Sequence, residues 1–345
     1  MEKGSARAVA ILGASGYAGV ELTRLVAAHP HLDLAVASSD RWVGDVVERH
    51  VPGTTTALRY VSPEQAVDEA TRCAAVLLAT PAEVSHAIVP RLVGTGVRVI
   101  DLSGAFRLRS AALYPAHYGF PHAHPALLAE AVYGLPELHA DQRAKIAAAK
   151  LVANPGCYAT AVQLALAPLL SLVTGRIIVD AASGVTGAGR KATEDMSFAE
   201  VAGNYRAYRV LRHQHTPEIV QGLGGRALTF VPHLLPIQRG ILATCHAELA
   251  PGVAHDAVAN AFEAAYRHEP FVSLASSCEE VGLHGVVGTN HCRIGFRVGA
   301  GGEVVVLAAI DNLVKGAAGQ AVQNLNLMLD LPEITGLIGL RSVHP

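Results

Sequence analysis

The sequence predicts an α/β protein of two domains. The first holds a parallel sheet covered by helices on both faces. The second is an α+β part with a mixed or antiparallel sheet. Three observations carry that expectation. Short apolar runs alternate with helix-period stretches through the first half, the pattern of strands buried on both faces. Beyond Asn154-Pro155 the apolar runs lengthen and follow one another more directly. The chain has 345 residues, more than one comfortable domain at roughly 100–200 residues each.

In order, residues 8–12 read as a strand, 17–28 as a helix stopped by His29-Pro30, and 34–37 as the second strand. Residues 76–79 and 97–102 repeat the strand pattern around a helix near 83–93. Residues 114–136, rich in Pro, His, Tyr and Gly, have no clean period and read as loops over the sheet edge. A helix over 157–172 opens the second half. It is followed by a strand at 177–182 and a Gly-rich passage to Lys191. Residues 228–231, 241–249, 292–298 and 303–309 read as strands, and 256–266 as a helix. A last helix within 312–330 is expected to return to the first half. Domain limits of 1–155 and 156–311 follow.

Composition narrows the function classes. Hydrophobic residues reach 51% and charged residues only 16%, against about 25% charged in an average soluble chain. Mean hydropathy is +0.32, yet the longest apolar stretches, such as 74–79 and 164–170, fall short of the ~20 residues a spanning helix needs. A large packed soluble core is expected, with no membrane partner. Met1-Glu2-Lys3-Gly4 leads into an apolar run too short for a signal peptide, so the expected compartment is the cytoplasm. With 27 basic and 29 acidic residues, the net charge is −2, which removes the broad footprint of a nucleic-acid binder. The five cysteines are scattered without a C-x-x-C pair, against a disulfide framework or a Cys-rich zinc site. Two His pairs, His122/His124 and His213/His215, have a spacing that a metal can use on a strand.

Gly13-Ala14-Ser15-Gly16-Tyr17-Ala18-Gly19 lies between the first strand and the first helix. A dinucleotide pyrophosphate meets backbone N–H groups and a helix N-terminus at such a place. Gly13 suits the tight turn, Gly16 close phosphate approach, and Gly19 close helix–strand packing. Ser15 and Tyr17 complete the turn, which makes the first domain Rossmann-type. At the end of the second strand stands Ser38-Ser39-Asp40-Arg41. Ser38, Ser39 and Arg41 favour NADP, whereas Asp40 is the kind of residue that holds the ribose of NAD.

Among the cysteines, Cys157 has the reactive setting. Asn154-Pro155-Gly156 is a turn and Cys157-Tyr158-Ala159-Thr160 opens a helix, where the positive dipole end favours thiolate. A thiolate beside a nicotinamide suggests reduction of an activated acyl group through a thioester. His215 is the expected acid/base, with Glu218 three residues on to orient it if the turn is helical. His213, a metal role for the pair and a purely structural role stay open. His122/His124, in a Pro-rich loop, read as surface or packing residues. Ser183-Gly184-Val185-Thr186-Gly187-Ala188-Gly189-Arg190-Lys191 offers amides, hydroxyls and two cations to an oxyanion or phosphate. Ser103-Gly104-Ala105-Phe106-Arg107 adds an arginine at a strand's C-terminal edge.

These residues resemble the N-acetyl-gamma-glutamyl-phosphate reductase family of arginine biosynthesis over nearly the whole chain. The resemblance rests on Gly13–Gly19 with Glu21-Leu22, Asp101-Leu102-Ser103 with Phe106-Arg107-Leu108, and Tyr133-Gly134-Leu135-Pro136-Glu137. It rests further on Asn154-Pro155-Gly156-Cys157-Tyr158-Ala159-Thr160, the run from Ser183 to Gly189, and His213-x-His215-x-Pro217-Glu218-Ile219. Phe230-x-Pro232-His233 through Arg239-Gly240, Gly288-Thr289-Asn290 and the run from Ile310 to Gly316 complete it. The resemblance implies NADPH-dependent, phosphate-releasing reduction of an acyl phosphate to N-acetylglutamate semialdehyde, with Cys157 as nucleophile and His215 as base. It implies cofactor contacts at Pro81, Ser183, Gly184 and Asn312, and substrate or phosphate contacts at Ser103, Arg107, Asn154, Arg190, Lys191 and Glu218. A homodimer or homotetramer is also implied, and no metal.

Three positions depart from the family pattern. Ala105 stands where an acid is usual, Ala82-Glu83 where His-Gly follows the proline, and Gln214 where an Arg separates the histidines. Competing expectations are the sister reductase of carrier-linked aminoadipyl phosphate, another semialdehyde dehydrogenase, a His-metal hydrolase, and a non-catalytic NADP sensor. The sensor lacks an evident effector or DNA-binding module.

Overall fold

The computed structural model describes residues 6–340; the opening residues 1–4 considered as a leader lie outside the described residues. The described chain divides into two compact units. The first takes 6–136, Ala140–Pro155 and Ala317–Ile338, and the second takes Glu137–His139, Gly156–Gly316 and 339–340.

The first unit runs β1 (Arg7–Leu12), α1 (Tyr17–Ala27), β2 (Leu32–Ala37), α2 (Pro63–Ala70), β3 (Ala75–Leu78), α3 (Ala82–Gly94) and β4 (Arg98–Asp101). It continues with α4 (Tyr114–Tyr118), α5 (Pro125–Glu130), β5 (Val132–Tyr133), α6 (Gln142–Ala148) and β6 (Leu151–Ala153). The six strands are all parallel, in the order β2-β1-β3-β4-β6-β5. From β1 the chain steps first to one side and then to the other, so strand order reverses between β1 and β3. Open α/β sheets hold ligands at that switch point. β3 is buried at every residue, as its unbroken apolar run requires.

Residues 114–136 differ from the loops expected of them. Pro115 and Pro125 stand in the first turns of α4 and α5, where a missing N–H costs nothing and the fixed φ suits the helix. Val132–Tyr133 then pairs with β6 as the edge strand.

The second unit runs α7 (Cys157–Leu166), β7 (Val173–Gly184), α8 (Phe198–Val201), β8 (Arg206–Ala207), α9 (His215–Gly222), β9 (Leu228–Leu235) and β10 (Ile241–Leu249). α10 (Asp256–Tyr266), β11 (Val272–Leu274), β12 (Cys292–Val298) and β13 (Glu303–Ile310) follow. The seven strands form a mixed sheet, β11-β12-β13-β10-β7-β9-β8, with α7 against β10 and β13. Burial alternates along β9 and β10, so one face of these strands meets the core and the other does not.

α7 stops well short of residue 172. Pro168 has no N–H to give the Leu164 carbonyl, and the Tyr266 hydroxyl donates to that carbonyl instead, at 2.6 Å. The chain returns to the first unit through a π-helical turn, Val314–Ala318, and α11 (Gly319–Met328), which packs against α1, α6 and β4. The second unit therefore runs past residue 311 to Gly316. It also takes in residues 137–139, because Glu137 is ion-paired to Lys315.

Glycines in the first βα turn serve different ends. Gly13 has φ +83°, and a Cβ there lies 2.6 Å from the Ala79 carbonyl oxygen. A Cβ at Gly19 lies 2.3 Å from the Gly13 oxygen, whereas one at Gly16 meets only that same oxygen at 3.8 Å. Gly19→Ala is expected to destabilise the protein by about 1–3 kcal/mol through overpacking. Gly16→Ala is expected to stay within about 0.5 kcal/mol of the parent; urea denaturation of both variants checks the contrast.

Candidate active site

In the second unit, Gly156 is the N-cap of α7 and Cys157 its first residue. The thiol thus sits where the helix leaves its first N–H groups without intrahelical partners. The Gly156 N–H donates to Glu218 Oε1 at 2.8 Å, within a buried environment. Gln163 Nε2, further along α7, donates to the Glu218 carbonyl at 3.1 Å. α7 and α9 are therefore joined at two levels.

His215 is the first residue of α9. Its ring lies against Gly156, where an added Cβ comes within 2.4 Å of Nε2. Only glycine lets the imidazole approach the peptide before Cys157 so closely. On the other side, a Cβ at Gly316 lies 2.7 Å from the Cys157 Cβ. The cysteine is thus walled by two residues that carry no side chain. Glu218, the residue expected to orient His215, takes the Gly156 N–H and so fixes the turn on which the ring rests.

His213 is bound into the scaffold. Its Nδ1 accepts the His215 N–H at 3.1 Å, which caps α9. Tyr208 Oη lies 3.5 Å from His213 Nε2 and donates to Tyr158 Oη at 3.2 Å, and Tyr158 donates to the His233 carbonyl at 3.1 Å. Burial, with the charges of His215 and Arg209 adding, pushes His213 down to about 2. Among the described residues no group of three His, Cys, Asp or Glu side chains is placed to hold a metal.

The other candidates in this unit are distributed around Asn312. Its Oδ1 accepts the Gly240 N–H at 2.8 Å and its Nδ2 donates to Thr186 Oγ1 at 3.0 Å. Ser183 is buried and donates to the Gly184 carbonyl, and a Cβ at Gly184 meets the backbone of Gln238 at 2.7 Å. Arg190 is half-buried and Lys191 exposed, on the passage after Val185–Ala188.

In the first unit the Gly13 turn fits a pyrophosphate. Gly16 is the N-cap of α1, where a Cβ meets only the Gly13 oxygen, at 3.8 Å, and the turn lies at the switch point. Ser15 and Tyr17 are half-buried on that turn. Ser38 Oγ accepts the Gly13 N–H at 3.2 Å, and Ser39 Oγ accepts the N–H groups of Arg41 and Trp42, both at 3.1 Å. Arg41 itself is exposed, and Pro81 caps α3.

Three candidates for phosphate also tie parts of the first unit together. Arg107 is buried, with Nε donating to the Asn154 carbonyl at 2.7 Å and Nη2 to the Leu102 carbonyl at 2.6 Å. Asn154 is fully buried, its Nδ2 donating to the Ala317 carbonyl and its Oδ1 accepting from Asn324 Nδ2. Ser103 donates to Asp101 Oδ2 at 2.8 Å and accepts the Ala105 N–H. Burial raises the Asp101 carboxyl above the usual carboxylate range, against the bonds from Ser103 and Ser85 and the Arg107 charge. His122 packs as expected, its Nε2 bonded to the Ala105 carbonyl at 2.9 Å.

Sequence reasoning missed Asp311, Lys315 and Gly316 as parts of this site. Asp311 Oδ1 accepts the N–H groups of Leu313 and Val314, and its Oδ2 accepts that of Gly288. The available signal was a charged pair inside the apolar stretch from Ile310 to Ala318.

Comparison with known proteins follows the same division of the chain. A family model described as "Semialdehyde dehydrogenase, NAD binding domain" matches residues 8–146, and one described as "Semialdehyde dehydrogenase, dimerisation domain" matches residues 157–312. The fold is similar to that of aspartate semialdehyde dehydrogenase II from Vibrio cholerae, with TM-score 0.73 and 18% identity over 95% of this chain and 99% of that one. It is also similar to a probable aspartate-semialdehyde dehydrogenase from Pseudomonas aeruginosa, with TM-score 0.69 and 22% identity over 94% and 99%. Fold and site thus define the semialdehyde dehydrogenase class. Within it, the chain is 46% identical over 342 residues to N-acetyl-gamma-glutamyl-phosphate reductase of Laribacter hongkongensis, covering 95% of this chain and 97% of the relative. It is 45% identical over 349 residues to that of Halorhodospira halophila, covering 97% and 99%. The chain belongs to the N-acetyl-gamma-glutamyl-phosphate reductase family.

Because His213 binds its proton more weakly folded than unfolded, its contribution to stability is full above 6.5 and is lost as pH falls below that value. Between pH 7 and pH 5 that loss is roughly 2 kcal/mol. His213→Asn keeps an acceptor for the His215 N–H and removes the titration. Urea denaturation at the two pH values is expected to show a smaller difference for the variant than for the parent.

Proposed function

We propose that this chain reduces N-acetyl-gamma-glutamyl phosphate to N-acetylglutamate semialdehyde with NADPH, releasing phosphate, as a step of arginine biosynthesis. The observation that carries the mechanism is Cys157 at the first position of α7, with the His215 ring against the adjoining Gly156.

Cys157 Sγ attacks the acyl carbon, the carbon–oxygen bond to phosphate breaks, and a thioester remains. NADPH, when bound, supplies the hydride that reduces this thioester. His215 takes the thiol proton before attack and returns it as the carbon–sulfur bond breaks. Glu218 holds the turn under both groups. The Gly13–Gly19 turn, Ser38, Ser39 and Arg41 would hold the dinucleotide, with two hydroxyls and a cation at the end of β2 favouring NADP over NAD. Arg190 and Lys191 bring cationic groups to the phosphate. Arg107, Asn154 and Ser103 position the strand ends, and Asn312 positions the Thr186 and Gly240 loops.

The protein works as a homodimer or homotetramer through its second unit. Its residues 157–312 match a model described as a dimerisation domain, and closed symmetric assemblies are the usual form of soluble oligomers. No helix among the described residues is long and apolar enough to cross a membrane, and none of the five cysteines is in a disulfide. Both support a cytoplasmic place for a thiolate enzyme.

The test runs the reaction in reverse with N-acetylglutamate semialdehyde, phosphate and NADP, reading NADPH absorbance. Turnover is expected to require phosphate, to vanish in Cys157→Ser, and to fall on the order of 10²-fold in His215→Asn. Phosphate-independent turnover, or an active Cys157→Ser protein, refutes the mechanism. A preference for the aminoadipyl semialdehyde substrate refutes the arginine assignment.

A further inference from the structure

The second unit contains an ion pair that the mechanism above does not use. Lys315 Nζ donates to Glu137 Oε1 at 2.7 Å, and neither side chain has any exposed surface. The ammonium also lies 5.5 Å from the centre of the Phe271 ring, within cation–π range. Glu137 comes from the short turn Pro136–Leu138, far away in sequence.

Lys315 sits in the π-helical turn Val314–Ala318, whose wide hydrogen bond runs from the Gly316 N–H to the Asp311 carbonyl at 2.9 Å. Gly316 is the residue against Cys157, with its Cβ position 2.7 Å from the Cys157 Cβ and 3.2 Å from its Cα. The turn is tied at its start by the Asp311 carboxylate, which takes the N–H groups of Leu313 and Val314. In its middle it is tied by Lys315. π-turns inside helices recur at functional sites. A buried ion pair is a weak source of stability, because desolvation offsets the attraction and an apolar replacement is often as stable. What such a pair supplies is direction: one length and one orientation between two segments.

We propose that Glu137 and Lys315 are positioning residues for the nucleophile. Their ion pair holds the π-turn in the register that sets the Gly316 backbone against Cys157, and so fixes the thiol relative to the α7 N-terminus and His215. The inference rests on the reading of Cys157 as nucleophile.

The experiment compares the parent with the neutral double variant Glu137→Gln/Lys315→Met and with Glu137→Asp/Lys315→Arg, which keeps both charges and about the same combined length. Single variants are avoided because they leave one buried charge without its partner. Each protein is assayed in the reverse reaction. Its Cys157 is also alkylated with iodoacetamide across pH 6–10 without substrate or cofactor, the labelled site being followed by peptide mass spectrometry. The neutral variant is expected to fold and to lose at least tenfold in kcat, with KM for phosphate and NADP within twofold. Its alkylation midpoint is expected to move by at least half a pH unit, and the charge-keeping variant is expected to stay within threefold of the parent kcat. A neutral variant with parental kcat and alkylation profile overturns the inference. So does one that fails to fold, since the pair then serves stability. Absence of turnover in the parent itself overturns the Cys157 reading instead, so the two failures are distinguishable.

Discussion

The hydrogen bond from the Gly156 N–H to the Glu218 carboxylate is the constraint on which the chemistry proposed for the second unit depends. It fixes the peptide that opens α7, and so where Cys157 begins its helix. It also anchors α9, whose first residue is His215. One buried bond therefore sets Cys157 and His215, the proposed nucleophile and base, in a common frame, and the second tie from Gln163 keeps the two helices from sliding. A bond to a charged group inside a protein holds its geometry more firmly than a neutral one.

Around that bond the site is shaped as much by missing side chains as by present ones. Gly156 admits the His215 ring, and Gly316 admits the Cys157 Cβ. Gly222 repeats the device a layer deeper, where a Cβ lies 2.3 Å from Gln163 Nε2. Each glycine marks a place where two elements approach to backbone distance. Polar groups of the same unit are likewise committed: His213 caps α9, Asn312 spans two loops, and Asp311 gathers three N–H groups. Such satisfied networks are rigid, which suits the role proposed for the Cys157 thiol, attack on an acyl carbon in a narrow geometry.

Two of the three departures from the family pattern have local accounts. Ala105 is fully buried and its carbonyl takes the His122 ring, so an acid there has no water to face. Gln214 accepts from Arg209 at 3.4 Å, which keeps a guanidinium beside the position where an arginine is usual. Ala82 opens α3 after Pro81, and nothing in the structure explains the loss of the usual histidine.

By itself the sequence determined the alternation of strands and helices in the first half, the glycine turn after β1, and the helix-opening cysteine. Those features are local: period, turn chemistry and helix-terminal position are written within a few residues of one another. Short proline-led helices in residues 114–136 were hidden, because a proline at a helix start looks the same in sequence as a proline in a loop. Likewise, the end of α7 depended on Pro168 and on Tyr266 taking the freed Leu164 carbonyl from 102 residues away. Only the tertiary structure decided that Arg107, Asn154 and Ser103 hold backbone, that Glu218 grips Gly156, and that Lys315 finds Glu137. Each of those depends on which distant polar group shares a buried space. A charge or amide shows its residue type in the sequence, but its partner is chosen by the fold, which must satisfy every polar group it buries.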